Sequence, residues 1–103
     1  MQQISAEQLK GKLAGNDEIF LLDVREEFEH EECNIGGTLI PLDEIMRQAD
    51  KIPTDRPVVI YCQKGIRSQI AIQRLEERYN FTNLFNLQGG IEKLNVLRGF
   101  RQL

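Results

Sequence analysis

The sequence has few of the features that would commit it to a specialised environment. It holds two cysteines, too few for a disulfide framework. It holds one histidine, His30, with no Cys/His spacing beside it that suits a metal. No excess of positive charge marks it for nucleic acid, since the net charge is −3. The longest apolar runs are Ile19–Leu22 and Val58–Cys62. Neither approaches the roughly 20 residues a membrane helix requires. The start, Met1-Gln2-Gln3-Ile4, lacks the charged and apolar regions of a signal peptide. These absences read as a cytoplasmic protein with reduced thiols, bound neither to nucleic acid nor to a membrane. Repeats, low-complexity segments and linkers are missing too. What remains is 103 residues, 41% of them apolar, enough for one domain over 1–103 with a core of its own.

Local patterns divide the chain into alternating strands and helices. Ser5-Ala6-Glu7-Gln8 fits a capping box, so a short helix follows with Leu9 and Leu13 on one face. Ile19–Val24 and Val58–Cys62 are continuous in apolar character, as strands buried on both faces are. The charged stretch Arg25–Cys33 suits a short helix, and Thr38-Leu39-Ile40 a short strand. Leu42, Ile45, Met46 and Ala49 are in helical phase and predict a helix over Leu42–Ile52, ending before Pro53. Arg67–Tyr79 predicts another helix, with Ile70, Ala71, Leu75 and Arg78 along it and Asn80 as its left-handed terminator. Leu84–Leu87 is a third core strand. Gly89-Gly90 turns into a last helix over about 91–97. This alternation implies a parallel sheet with helices on both faces, an α/β fold. Ligand sites in such sheets lie beyond the carboxyl ends of the strands, which points to the residues after Val24, Tyr61 and Leu87.

The chemistry concentrates in Cys62-Gln63-Lys64-Gly65-Ile66-Arg67-Ser68. A cysteine ends a buried strand, a short loop follows, and a helix starts. Loop amides and the first helical turn can converge on one anionic atom. Gly65 permits the backbone angles of such a cradle. Lys64 and Arg67 add positive charge. The cradle would hold a thiolate, a persulfide or an oxyanion. The plainer alternative is a small core residue, for free cysteine is among the most buried types. The polar loop favours function.

The segment Cys62-x-x-Gly65-x-Arg67-Ser68 resembles the active-site loop of the rhodanese (sulfurtransferase) family. Leu22-Asp23-Val24-Arg25-Glu26 resembles that family's first signature. Gly36-Gly37-Thr38-Leu39-Ile40-Pro41-Leu42 resembles its glycine turn and following strand, and Leu87-Gln88-Gly89-Gly90-Ile91 its closing motif. The order is the family's, over nearly the whole chain. Two departures look structural: Cys33-Asn34-Ile35-Gly36-Gly37-Thr38 replaces the usual G-H-I-P-G-A, and Leu94 stands where tryptophan is usual. The segment Cys33–Leu42 is similar to rhodanese domains fused to adenylyltransferases that activate sulfur-carrier proteins. That suggests a sulfur donor for molybdopterin or thiamin biosynthesis.

The resemblance implies a three-layer α/β/α fold with a five-stranded parallel sheet. It implies that Cys62 is the sulfur-accepting nucleophile and that Gln63, Lys64, Gly65, Ile66, Arg67 and Ser68 bind the substrate. The expected donor is thiosulfate or another persulfide. The expected acceptor is a thiol, a cyanide-like nucleophile or a sulfur-carrier protein, and no cofactor is required. Asp23 and Arg25 are expected as a supporting salt bridge, with Asp23 or Glu26 as the partner of Arg67. The acidic run Glu26, Glu27, Glu29, Glu31, Glu32 reads as a solvated helix face or as a dock for a basic partner. His30 as base of a Cys–His dyad stays open, and Cys33 reads as a bystander. Two rivals remain: a phosphatase or arsenate reductase, and a non-catalytic interaction module. Four residues separate Cys62 from Arg67, one fewer than cysteine phosphatases use.

Overall fold

A computed structural model describes residues 1–97 and Gly99. The expected single unit over 1–103 includes residues 98 and 100–103, which lie outside the described residues. Among the described residues five strands form one parallel sheet: β1 (Gln2–Ile4), β2 (Phe20–Asp23), β3 (Thr38–Leu39), β4 (Val58–Tyr61) and β5 (Leu84–Leu87). Their order is β1-β5-β4-β2-β3, so the two long apolar runs lie side by side at the centre. Among the described residues four α-helices accompany them: α1 (Ala6–Ala14), α2 (Glu27–Glu32), α3 (Arg67–Tyr79) and α4 (Gly90–Leu97).

The central strand shows why its sequence carries no polar alternation. Val58, Ile60 and Cys62 point into one core with Ala71, Ile72 and Leu75 of α3. Val59 and Tyr61 point into the other, with Leu9 of α1 and Ile91 and Leu94 of α4. Each face is covered by helices, so each side chain is taken out of water. Burying one large aliphatic side chain stabilises by about 1.5–3 kcal/mol.

Local signals set several boundaries. Ser5 Oγ accepts the Gln8 amide at 3.0 Å and Gln8 Oε1 accepts the Ser5 amide at 2.9 Å, the capping box that starts α1. Asn80 ends α3 in the left-handed region with φ of 57°.

Two sequence expectations require correction, and one strand had no expectation at all. The helix over Leu42–Ile52 is absent; two 3-10 turns, Leu42–Glu44 and Ala49–Lys51, take its place. Ile45 and Ile52 amides reach carbonyls three residues back, at Leu42 and Ala49. These turns still bury Ile45, Ala49 and Ile52, so the apolar spacing did not distinguish them from an α-helix. Leu13 and Ile70 are exposed at 39% and 36%, while Leu9, Ala71 and Ile72 cover the sheet. The edge strand β1 carried no strand signal, because only Ile4 of its three residues is buried.

Candidate active site

The register brings Asp23 opposite Tyr61, so the ends of β2 and β4 meet at one sheet edge. Cys62 follows immediately, 1% exposed, with its sulfur under the start of α3. The Gly65 amide donates to Cys62 Sγ at 3.1 Å and the Ser68 amide at 3.4 Å. The latter is one of the N–H groups that the first helical turn leaves without an intrahelical acceptor. The sulfur therefore does for α3 what a capping side chain does elsewhere. Gly65 has φ of +93°, in the left-handed region where a side chain is strained, and this turns its N–H inward. Ser68 Oγ lies 3.4 Å from the sulfur.

Over the sulfur opens a pocket of about 250 Å³ lined by Cys62, Gln63, Lys64, Ile66 and Arg67. Lys64 and Ile66 are exposed at its mouth. The six loop residues expected from sequence thus lie around Cys62: Gln63, Lys64, Ile66 and Arg67 line the pocket with it, while Gly65 and Ser68 meet the sulfur through their amides and do not line the pocket.

Arg67 corrects an expectation. Its partner is neither Asp23 nor Glu26. Its Nη1 and Nη2 donate to Glu29 Oε1 and Oε2 at 2.7 and 2.8 Å, a bidentate pair. Glu29 Oε1 also accepts the Glu26 amide at 3.1 Å. The hydrogen bond from Arg67 outweighs desolvation and, with that amide, lowers the Glu29 carboxyl from 4.5 to about 2. The same bond raises the pKa of Arg67. Glu29 escaped the sequence reading because all five glutamates of the run look alike until α2 is placed.

Asp23 and Arg25 form the expected salt bridge, 0% and 2% exposed. Asp23 Oδ1 accepts the Arg25 amide at 2.9 Å and Nε at 3.0 Å; Oδ2 accepts Nη2 at 2.8 Å. Arg25 also donates to the Cys33 carbonyl at 2.5 Å and to Gln63 Oε1 at 3.3 Å, tying the β2 end to the loop. Burial works against its charge, but Asp23 overcomes this and raises its pKa. The histidine of the sequence reading also belongs here: His30 Nδ1 lies 2.8 Å from Asp23 Oδ2, on the carboxylate that holds Arg25.

Two further residues shape the loop, Asn86, which the sequence did not single out, and Gly90, which it offered only as part of a turn and of the closing motif. Asn86 is a lone polar residue in a buried strand, 1% exposed and bonded to Ser68. Gly90, φ +66°, packs against the loop so closely that a Cβ there would stand 2.3 Å from the Gln63 carbonyl oxygen and 2.5 Å from that of Cys62. An asparagine inside an otherwise apolar strand was the available signal for the first. The second left only its Gly-Gly pair.

The sequence pattern of the Rhodanese-like domain family matches residues 5–96. The chain belongs to that family. A protein of Allochromatium vinosum named sulfurtransferase is 35% identical over 92 residues, spanning 88% of this chain and 85% of that protein. A thiosulfate sulfurtransferase, GlpE, of Coxiella burnetii is 32% identical over 82 residues, 79% of this chain and 76% of that one. The crystal structure of a rhodanese-like domain protein from Staphylococcus aureus superposes with a TM-score of 0.82 at 27% identity, covering 91% of each chain.

Proposed function

We propose that the protein is a sulfurtransferase that carries sulfane sulfur as a persulfide on Cys62. The observation that supports this most is the cradle: two backbone amides aimed at one buried sulfur beneath a small pocket. Amides fixed around an atom stabilise charge on it without reorganising during reaction.

In the first half-reaction the Cys62 thiolate attacks the outer sulfur of thiosulfate. The S–S bond of thiosulfate breaks and sulfite leaves with the electron pair. The product is a persulfide whose outer sulfur occupies the pocket. In the second, an acceptor thiolate, a cyanide-like nucleophile or a sulfur-carrier protein takes that outer sulfur, and the Cys62 thiolate departs. No cofactor takes part. Lys64 at the mouth draws in the anionic donor, and Asp23 and Arg25 brace the loop. We place the reaction in the cytoplasm, in a single domain spanning 1–103. Phosphate ester hydrolysis suits the site poorly, because the loop is one residue short and the Arg67 guanidinium is engaged by Glu29.

Intact-mass spectrometry after incubation with thiosulfate tests the proposal. One added sulfur atom is expected, lost in Cys62→Ser and retained in Cys33→Ser. Labelling that persists in Cys62→Ser, or that depends on Cys33, overturns the assignment.

A further inference from the structure

A file of side chains runs from the Cys62 sulfur to the edge of the sheet. Cys62 Sγ lies 3.4 Å from Ser68 Oγ. The Ser68 hydroxyl donates to Asn86 Oδ1, and Asn86 Nδ2 donates to Gln3 Oε1 at 2.8 Å. Asn86 and Gln3 are register partners across β5 and β1. Ser68 and Asn86 are buried, whereas Gln3 is exposed.

A serine hydroxyl has one proton. Here Ser68 gives it to Asn86, so its oxygen meets the sulfur as an acceptor. That arrangement suits a thiol, whose S–H donates. It does not suit an anionic sulfur, which has no proton to offer and faces an oxygen lone pair. Turning the hydroxyl toward the sulfur would leave Asn86 Oδ1 buried without a donor, which is unfavourable. An amide avoids that cost. After a half-turn, Asn86 Nδ2 donates to Ser68 Oγ and Oδ1 faces Gln3. The exposed amide of Gln3 turns likewise and donates to it. Every group is then partnered in both states. An aspartate, which only accepts when ionised, cannot make the exchange.

We propose that Asn86 is a positioning residue whose amide turns over with the charge on Cys62, freeing the Ser68 hydroxyl to donate to the sulfur when it is anionic. The persulfide arm of this proposal rests on the sulfurtransferase reading; the thiolate arm does not.

The test uses the full chain carrying Cys33→Ser, which leaves one thiol. The rate of Cys62 alkylation by iodoacetamide is followed against pH. Asn86→Asp should move the midpoint of that curve upward by about one pH unit, the equivalent of one hydrogen bond lost to the anion. The move should vanish when Ser68→Ala is added, because the effect passes through the hydroxyl. A shift of the same size in the double variant means the new carboxylate acts by its charge alone and overturns the proposal. A second measurement needs no change at Asn86. In 15N-labelled protein, the side-chain amide resonances of Asn86 and Gln3 should move together as Cys62 titrates, and not in Ser68→Ala. A Gln3 amide that stays still while Cys62 titrates overturns the turnover. If thiosulfate adds no sulfur while both amides respond to pH, the sulfurtransferase reading fails and the role of Asn86 stands.

Discussion

Arg67, at the start of α3, and Glu29, in the middle of α2, lie fork to fork, with Nη1 on Oε1 and Nη2 on Oε2. The pair joins the loop after β4 to a helix that follows β2. The Arg67 guanidinium is thus engaged by Glu29, and Lys64 is the exposed positive charge at the pocket mouth.

Breaking that pair should cost stability and turnover together. Arg67→Ala and Glu29→Gln should each destabilise by about 1–2 kcal/mol, since the pair is bidentate yet Arg67 is partly exposed. The carboxyl of Glu29 is depressed from 4.5 to about 2. Its contribution is therefore complete above pH 4.5 and declines as pH falls toward 2. Denaturant unfolding of Glu29→Gln between those pH values should show a flatter acid dependence than the parent. Equal slopes would mean that the pair does not form in solution.

Lys64 should act on capture alone. Lys64→Ala should raise the KM for thiosulfate by about two- to fivefold at low ionic strength and leave kcat nearly unchanged. The difference should shrink as salt is added. Steady-state kinetics at two salt concentrations check this, and a fall in kcat of the same size would place Lys64 in the chemical step.

The Asp23–Arg25 bridge should behave as a buried pair. Asp23→Asn leaves the Arg25 charge buried without its counterpart and should cost about 3–5 kcal/mol. Replacing both, as Asp23→Leu with Arg25→Met, should cost less than the single change. Unfolding curves of the two variants decide, and a costlier double variant would contradict the desolvation argument.

Gly90→Ala should damage the loop without touching Cys62. The added Cβ would press on backbone oxygens of Cys62 and Gln63, which cannot swing aside as a flexible side chain would. Sulfur loading and melting temperature should both fall. Gly36→Ala is the control: its φ is also positive, but nothing lies within 4 Å of its Cβ position. Equal losses in both variants would assign the effect to backbone angle alone.

The central strands were legible because burial on both faces leaves an uninterrupted apolar run, as in Val58–Tyr61. The loop was legible because Cys62, Gly65 and Arg67 are local in sequence. Contacts made by distant residues were not. Glu29 meets Arg67 across 38 positions, and only the placement of α2 selects it from five glutamates. β1 was silent because it is short, exposed and held chiefly by its pairing to β5. Between Pro41 and Pro53 the apolar spacing served 3-10 turns as well as it would an α-helix.

The Ile91 amide donates to the Cys62 carbonyl at 2.9 Å and the Glu92 amide to that of Gln63 at 3.1 Å. These two hydrogens cannot exchange with solvent until α4 and the loop part. Their deuterium uptake is therefore a clock for the opening of the sulfur site, readable about thirty positions downstream of the cysteine and independent of any reaction there.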